Sequence, residues 1–418
     1  MTAGDRLTIR ARQLLTMEGP ARLPPADGAP AREAGVVGLR EDAVVVCRGG
    51  LVEAVLPADH PDAPAPDREV EQLMPTWVEC HTHALFGGAR HVDFALRNAG
   101  RPYVEILEAG GGILSTVAHT RAESAEVLEE TLRERLMAFH ARGVDVVEVK
   151  TGYGLSVEEE LRHLRLIDAV ARRVPVRVIR TCLAAHAVPP EFRERRGEWV
   201  EAIVGELLPR AVREGLVDQV DVFCDRGAYT VAEGRRVLEA GRALGLGLRV
   251  HAEELAWTGA ARMAAELGAA SADHLEHITG EDVAALAAAD TAAVLLPLVT
   301  TFLDLPERAP ARALVEAGVR VAVSTDYNPG SACSLDLSLA ASLACSLHRL
   351  TPGEALRGVT RVPAEVLGVA SAFGVIRPGA RASFLSFSLP DWTAVPWLQG
   401  ELAFRPEAGM RREGQAAG

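Results

Sequence analysis

The stretch ECHTHALFGGAR, residues 79–90, follows an apolar run and places His81 and His83 one residue apart, ahead of a Gly-Gly pair and Arg90. In a β-strand, residues two apart project to the same side, so both imidazoles are predicted to enter one space. Two imidazoles in one space suit two ligands of a single metal ion. An isolated H-x-H is a weak signal and more often represents two hydrogen-bonded histidines, so the rest of the chain has to decide.

This stretch is the first of eight candidate strands, which are separated mostly by amphipathic, Ala/Glu/Arg-rich segments typical of helices. The candidate strands span about residues 76–82, 144–149, 176–183, 219–224, 247–251, 270–274, 292–296 and 320–325. Eight alternating β/α units predict an α/β protein with a (β/α)8 TIM-like barrel. A doubly wound open sheet is the competing architecture, but no G-x-G-x-x-G follows the first strand to support a dinucleotide site.

Short β-like runs separated by Pro- and Gly-rich turns flank the barrel region at both ends of the chain. Examples are AVVVCRGGLVEAV at residues 43–55 and GVIRPGARASFLSFSL at residues 374–389. This composition is typical of strands and turns. We therefore expect residues 1–72 and 375–418 to pack together as a small discontinuous β-sandwich domain, with residues 73–374 forming the catalytic barrel.

Charge and composition exclude several classes of function. The 418-residue chain has 44 Lys and Arg against 57 Asp and Glu, and its basic residues nowhere cluster with aromatic ones, which argues against a nucleic-acid-binding surface. No apolar run has the length of a membrane span, and the N-terminus lacks the pattern of a signal peptide. The six cysteines are widely spread without a C-x-x-C pair, so they are predicted to be reduced and buried, and the expected compartment is the cytoplasm.

Further residues capable of chemistry follow other predicted strands. His251 ends the fifth strand and Glu254 comes three residues later, while His274 ends the sixth strand and Asp326 the eighth. Active sites of such barrels are built at the carboxyl ends of the strands, and a carboxylate buried there is costly unless it is paired or bound to a cation. Of these residues, three histidines and one aspartate form a nitrogen and oxygen ligand set that suits Zn²⁺ or Fe²⁺, namely His81, His83, His251 and Asp326.

This order of His-x-His, His, His and Asp along the strands resembles the amidohydrolase superfamily of metal-dependent hydrolases. More narrowly, the chain is similar to the imidazolonepropionase family in the segments HTHALFGGAR, EVKTGYGL, AAHAVP, DVFCDRGAYT, HAEE, SADHLEH and STDYNPGS. The resemblance runs from residue 75 to about residue 335 and extends to the flanking sheet segments. It implies an enzyme of histidine degradation that hydrolyses 4-imidazolone-5-propanoate to N-formimidoyl-L-glutamate, with one divalent metal ion, Zn or Fe, as cofactor.

The resemblance also implies a role for each site residue. The metal ligands are expected to be His81, His83, His251 and Asp326. Glu254 and His274 are expected to be catalytic, Glu254 by moving a proton from metal-activated water to the ring nitrogen and His274 by stabilising the developing oxyanion. The expected substrate contacts are Arg90, Tyr153, His186, Glu254, Asn328, Gly330 and Ser331. Because a planar guanidinium matches a carboxylate, Arg90 is the expected partner of the propionate tail.

The chain departs from the family pattern at a few positions beside the predicted ligands. Cys80 stands where proline is common, and Glu79 and Glu253 stand where aspartate is usual. Lys150 ends the second predicted strand, whereas two-metal members of the superfamily often carry a bridging, carbamylated lysine on the fourth strand. The fourth strand here ends in Cys224 and offers no lysine. One metal ion is therefore expected, with Lys150 in an ion pair or in contact with the substrate.

Two other functions remain open at this point. Another hydrolase or deaminase of the superfamily, acting on a cyclic amide or amidine, would share the metal site but would not need an arginine for a propionate. A non-catalytic scaffold would be expected to have lost ligands, and here every one is present. The expected partner is a small-molecule substrate with a propionate tail, without nucleic acid or membrane, and the apolar barrel helices are compatible with a homodimer.

Overall fold

A computed structural model describes residues 6–26, 29–102, 105–106, 110–401 and 405–407. The described residues form two sheets, one of eight strands and one of six. The strands are β1 (Arg6–Leu15), β2 (Leu39–Arg48), β3 (Leu51–Pro57), β4 (Arg68–Pro75), β5 (Trp77–Glu79), β6 (Val144–Lys150), β7 (Arg177–Ala185), β8 (Gln219–Cys224), β9 (Gly247–Ala252), β10 (Ser271–His274), β11 (Ala292–Leu295), β12 (Val321–Val323), β13 (Phe384–Phe387) and β14 (Arg405–Glu407).

The eight-stranded sheet is the predicted barrel. Strands β5 to β12 are neighbours in chain order, and every adjacent pair is parallel. The first and last strands meet just beyond their ends, where Thr82 pairs with Tyr327 and the His83 amide donates to the Tyr327 carbonyl at 2.9 Å. All eight predicted strands are confirmed, although β5 ends at Glu79, so that His81 and His83 lie directly after the strand instead of within it.

Helices fill the connections between the barrel strands, and the N-terminal segment adds the helix Pro30–Val37. Capping boxes begin several of these helices, as at Thr230 and Glu233. The remaining α-helices are His91–Asn98, Ile113–Ala122, Ala125–Ala141, Val157–Ala171, Arg196–Ala202, Leu208–Arg213, Val231–Ala243, Ala260–Leu267, Gly280–Ala289, Pro297–Leu303, Ala311–Glu316, Leu337–His348, Pro352–Gly358 and Arg361–Val366. A π-helical turn spans Ile203–Leu207, and 3-10 turns span Pro190–Phe192, Trp392–Ala394 and Pro396–Leu398.

The N-terminal and C-terminal segments come together in the six-stranded sheet, whose order is β14-β13-β4-β1-β2-β3. Strand β4 runs parallel to β1, and the other pairs are antiparallel. Its strands bury a small apolar core of their own, separate from the large core between the barrel and its helices. Residues 1–5 and 408–418 of the predicted small domain lie outside the described residues.

All six cysteines are free, and Cys47, Cys80, Cys182 and Cys224 are buried as predicted. The prediction of burial is wrong for Cys333, which is exposed, and for Cys345, which is half-buried. Cys333 lies in the segment that follows β12 at the barrel mouth, outside the regular elements on which the prediction rested. Among the described residues, no helix combines the length and the apolar composition that crossing a bilayer requires.

Candidate active site

Four of the predicted side chains converge at the carboxyl end of the barrel. His83 Nε2 lies 3.4 Å from His251 Nε2 and 3.3 Å from Asp326 Oδ1, and His81 Nε2 lies 3.5 Å from the same aspartate oxygen. All four residues are buried. The structure therefore brings together the predicted metal ligands from β5, β9 and β12 in one enclosed space.

The donor atoms of this cluster fit one divalent ion. His81 Nε2 and Asp326 Oδ1 are buried without a hydrogen-bond partner among the described residues, which is costly for polar atoms that have nothing else to bind. Zinc bonds of about 2.0–2.1 Å in a tetrahedral site would separate neighbouring ligand atoms by roughly 3.3–3.4 Å. The measured separations of 3.3, 3.4 and 3.5 Å are close to that spacing.

His81 and His83 have the neutral rings that metal binding requires. Burial lowers the pKa of His81 and His83 well below the usual histidine value, and neighbouring positive groups lower it further. His81 Nδ1 lies 2.6 Å from Asp273 Oδ2, and His251 Nδ1 lies 3.0 Å from Asp221 Oδ2. A carboxylate at Nδ1 holds the proton there and leaves Nε2 free to bind a metal.

Two buried cations stand behind these carboxylates. Arg249 Nη2 donates to Asp273 at 2.5 Å, and Lys150 Nζ lies 2.8 Å from both Asp221 and Glu148. Burial lowers the pKa of Lys150, but Asp221 and Glu148 raise it more, so the net pKa is raised and the ammonium stays charged. Lys150 is thus engaged in ion pairs, which is one of the two roles expected from its place on the second barrel strand.

Sequence reasoning missed Asp221, Asp273 and Arg249. A signal was present, because each is a charged residue inside a strand predicted to be buried, in QVDVFC, SADH and GLRVHA. A charge inside a buried strand has to be paired, so each of these residues predicts an oppositely charged or hydrogen-bonding partner within the barrel.

Glu254 and His274 face each other beside the metal cluster. His274 Nε2 lies 3.8 Å from Glu254 Oε2, and the ring nitrogens of His274, His81 and His251 lie within 4.8 Å of one another. Burial raises the pKa of Glu254 well above its ordinary value, with nearby Glu276 and Asp326 adding to the shift. Burial lowers the pKa of His274 to about 3, so its ring is neutral. The arrangement joins a carboxyl group of raised pKa to a neutral imidazole.

The backbone at this site is unusual, and one further carboxyl group lies close by. His274 and Asp326 have φ angles of 78° and 50°, a left-handed conformation that is uncommon outside glycine and is found preferentially at functional sites. Glu276, which the sequence did not single out, is buried with Oε2 4.0 Å from His274 Nδ1. Burial raises the pKa of Glu276 to about 8.

The predicted substrate-contacting residues Tyr153 and His186 line the space next to His83. The His186 ring stacks on the His83 ring with centroids 4.8 Å apart, and the Tyr153 ring lies 5.4 Å from that of His186. His186 Nδ1 lies 3.1 Å from the Gly152 carbonyl, so that nitrogen donates and Nε2 is left as an acceptor. These rings form an aromatic wall beside the metal cluster.

The predicted residues of the DYNPGS turn contact one another more than the open space. Asn328 Oδ1 accepts hydrogen bonds from the amides of Gly330 and Ser331 at 2.7 and 2.8 Å, and its Nδ2 donates to the Asp326 carbonyl. The Asn328 side chain therefore holds the turn in shape. A Cβ at Gly330 would lie 2.1 Å from Arg90 Nη1, so the Arg90 guanidinium lies directly against this turn.

The two glutamates that depart from the family pattern have structural partners. Glu79 accepts from the amides of His81 and Thr325 at 3.0 and 3.1 Å and so ties β5 to the segment after β12. Glu253 accepts from the amides of Gly259 and Ala260 at the start of the helix Ala260–Leu267. Both carboxylates position the backbone around the site without entering it.

Comparison with known proteins agrees with this geometry. Residues 73–403 match the model of the amidohydrolase family. The imidazolonepropionase of Pseudomonas fluorescens is 42% identical over 378 residues, covering 89% of this chain and 94% of that protein. The imidazolonepropionase of Myxococcus xanthus is 42% identical over 398 residues, covering 95% of this chain and 94% of the relative.

Solved structures share the fold at lower identity. A zinc-bound adenosine deaminase from Xanthomonas campestris superposes with a TM-score of 0.67 at 21% identity, covering 94% of this chain and 88% of that one. A triazine hydrolase variant superposes with a TM-score of 0.68 at 17% identity, covering 92% and 87%. At these identities the likeness concerns the fold alone. From the family match and the relatives at about 40% identity, the chain belongs to the amidohydrolase family and, within it, to the imidazolonepropionases.

Proposed function

We propose that this enzyme adds water to the ring of 4-imidazolone-5-propanoate and releases N-formimidoyl-L-glutamate. The observation that carries the proposal is the meeting of three features at one barrel mouth. These are the cluster of His81, His83, His251 and Asp326, the Glu254–His274 pair beside it, and the arginine that lies against the turn after β12. The naming of the most similar curated relatives as imidazolonepropionases supports the same reaction.

We propose that the cofactor is one divalent ion, Zn or Fe, held by His81, His83, His251 and Asp326. When bound, such an ion supplies the Lewis acidity that makes water a usable nucleophile near neutral pH. Nitrogen and carboxylate ligands suit both metals, and metal availability decides between them in many proteins.

Glu254 takes a proton from the attacking water and later gives it to the ring nitrogen. The water oxygen forms a bond to the lactam carbonyl carbon, and the C–N bond of the ring then breaks, with its electron pair leaving on the nitrogen. His274 donates a hydrogen bond to the carbonyl oxygen while negative charge develops there. One carboxyl group thus serves first as base and then as acid, for which a raised pKa is suited.

The remaining predicted residues orient the substrate. Arg90 binds the propionate through its planar fork of donors. Tyr153 and His186 hold the ring against the metal cluster, since both side chains lie beside His83. The turn Asn328–Ser331 supports Arg90 from below and closes this side of the mouth.

The reaction is tested by following the loss of imidazolonepropanoate absorbance with the purified protein before chelation, after it, and after Zn²⁺ or Fe²⁺ is restored separately. We expect turnover to N-formimidoyl-glutamate, its abolition by the chelator and its return with at least one metal. If folded, metal-loaded protein leaves the substrate intact, the proposal is wrong and other cyclic amides and amidines become the substrates to assay.

A further inference from the structure

The carboxylate of Asp93 lies behind Arg90, in a place that the proposed chemistry does not use. Asp93 Oδ2 accepts from Arg90 Nε at 2.9 Å and from the Gly112 amide at 2.9 Å. Both side chains are largely buried, with 17% of Arg90 and 13% of Asp93 exposed. The carboxylate therefore joins the arginine after β5 to the backbone that begins the helix Ile113–Ala122.

This contact fixes which edge of the guanidinium is free. Because Nε donates to Asp93, the remaining edge carries Nη1 and Nη2, and among the described residues neither nitrogen donates a hydrogen bond to the protein. Two glycines leave room for the arrangement. A Cβ at Gly330 would lie 2.1 Å from Arg90 Nη1, and a Cβ at Gly111 would lie 2.5 Å from Asp93 Oδ1.

The charges around Asp93 leave a positive surplus. Burial lowers the pKa of Arg97, and the charge of Arg90 lowers it further, against the opposing effect of Asp93. The charges of Arg90 and Asp93 thus both act on Arg97. Arg90 also acts on the active site, because its charge lowers the pKa of Tyr153 against the stronger effects of burial and Asp326. A buried cationic edge beside a catalytic cavity favours an anionic ligand.

We infer that Asp93 is a positioning residue for the carboxylate of the substrate, because it turns the Arg90 guanidinium so that the Nη1–Nη2 edge faces the barrel mouth. Gly330 is the matching specificity-determining position, since any side chain there would displace the guanidinium. The inference rests on the proposed function in one respect, namely that the carboxylate is the propionate tail of the imidazolone substrate.

The first test is Asp93→Asn, which keeps the size of the side chain and removes its charge. We expect KM to rise about tenfold, as for the loss of a hydrogen bond to a charged group, while kcat changes less than about twofold. The matched control is Glu130→Gln, since Glu130 forms a pair of the same sequence spacing with Arg133 on an outer helix. The control should leave both kinetic constants unchanged.

A double-mutant cycle separates positioning from a general structural role. Arg90→Ala is expected to raise KM at least about thirtyfold, because it removes the cation that pairs with the carboxylate. In that background Asp93→Asn should add less than about twofold, because residues that act through one another are not additive. An equal effect of Asp93→Asn with and without Arg90 would overturn the positioning role.

Binding without turnover separates this inference from the proposed reaction. Calorimetry with imidazole-4-propanoate and with the uncharged 4-propylimidazole measures the preference for the carboxylate directly. We expect the wild type to prefer the carboxylate at least about tenfold and Asp93→Asn to lose most of that preference, even if imidazolonepropanoate is not turned over. Equal binding of both ligands by the wild type would overturn the inference whatever the substrate proves to be.

Discussion

The six-stranded sheet and the barrel mouth both bury polar side chains, but they treat them differently. In the sheet, Gln72 Nε2 donates to Gln13 Oε1 and to the Leu389 carbonyl, its Oε1 accepts from the Leu389 amide, and Gln13 Nε2 donates to Asp391. At the barrel mouth, polar atoms of His81 and Asp326 are buried without a hydrogen-bond partner in the part of the chain that the structure describes.

The difference distinguishes buried polar groups that stabilise the fold from buried polar groups that are available to bind a ligand. A completed network leaves no atom for anything else to bind, so it contributes to stability and to the specificity of the fold. Orphaned buried atoms carry a desolvation cost, and a site that retains several of them in one place is explained by a ligand that satisfies them. The comparison therefore predicts that substitutions in the two regions affect different measurements.

The largest effect is expected for Glu254→Gln. Loss of the group that moves the proton should reduce kcat by about 10²–10⁴-fold, with metal content unchanged in elemental analysis. The neighbouring Glu253→Gln is the matched control, because Glu253 caps a helix and its loss should lower the melting temperature while kcat stays close to that of the wild type. Near-normal turnover of Glu254→Gln would remove Glu254 from the mechanism.

The pH dependence of turnover gives a second test of the role of Glu254. The pKa of Glu254 is raised in the folded protein, and a base works only when ionised, so turnover should fall as the pH is lowered through that raised pKa. This fall in turnover on the acid side should occur at a higher pH than the pKa of about 4.3 at which an ordinary glutamate loses its charge. The residual activity of Glu254→Gln should not show this fall in turnover at low pH. If the fall persists in the variant, a group other than Glu254 causes it.

Lys150→Met should give the next largest effect, on metal affinity. Removal of the ammonium leaves Asp221 and Glu148 without their shared cation, and Asp221 lies 3.0 Å from the ligand His251. Changes behind a ligand typically reduce metal affinity by about 10–100-fold, which competition with a chelator would measure. If the variant folds and binds metal as tightly as the wild type, the Lys150–Asp221 pair plays no part in holding the ligand.

Gln72→Leu tests the other side of the comparison. It should lower the free energy of unfolding by about 1–2 kcal/mol, because it leaves the amide and the carbonyl of Leu389 without their Gln72 partner. Chemical denaturation would measure this loss, and metal affinity and kcat should be unchanged. A fall in metal affinity as large as that of Lys150→Met would show that the two regions are not independent.

The barrel and the convergence of the candidate ligands could be predicted from the sequence because both depend on local patterns. Apolar runs alternate with amphipathic segments, and His81, His251, His274 and Asp326 each follow such a run directly. The carboxyl ends of parallel strands meet at one face, so the ligands could be assigned to one site without knowledge of distances.

The partners of the ligands could not be predicted in the same way. A strand of a barrel is apolar on both faces, so its sequence does not show which residues point inward. The pairing of Asp273 with His81 depends on segments that are distant in the chain, and that of Asp221 with Lys150 joins β8 to β6 across the intervening β7. The contact of Arg90 with Gly330 joins two loops, whose conformations no periodicity specifies.

The smallest effect is expected where the six-stranded sheet meets the amino-terminal end of the barrel strands, away from the mouth. His140 Nδ1 lies 3.0 Å from Asp145, and Asp145 also accepts from Ser383 of the C-terminal segment. The hydrogen bond to Asp145 raises the pKa of His140 in the folded protein. Protonated His140 therefore stabilises the fold below the unfolded pKa of about 6.5, and this contribution is lost as the pH rises through the raised folded pKa.

His140→Gln should lower the melting temperature in acid and leave it unchanged well above that pKa. The loss should be no more than about 0.5 kcal/mol, because the ring is 39% exposed and water screens the pair. Thermal melts of both proteins across this pH range, at low and high salt, measure the difference. A larger loss on the alkaline side would mean that neutral His140 is the stabilising form, and the junction would then resemble the completed network of the sheet.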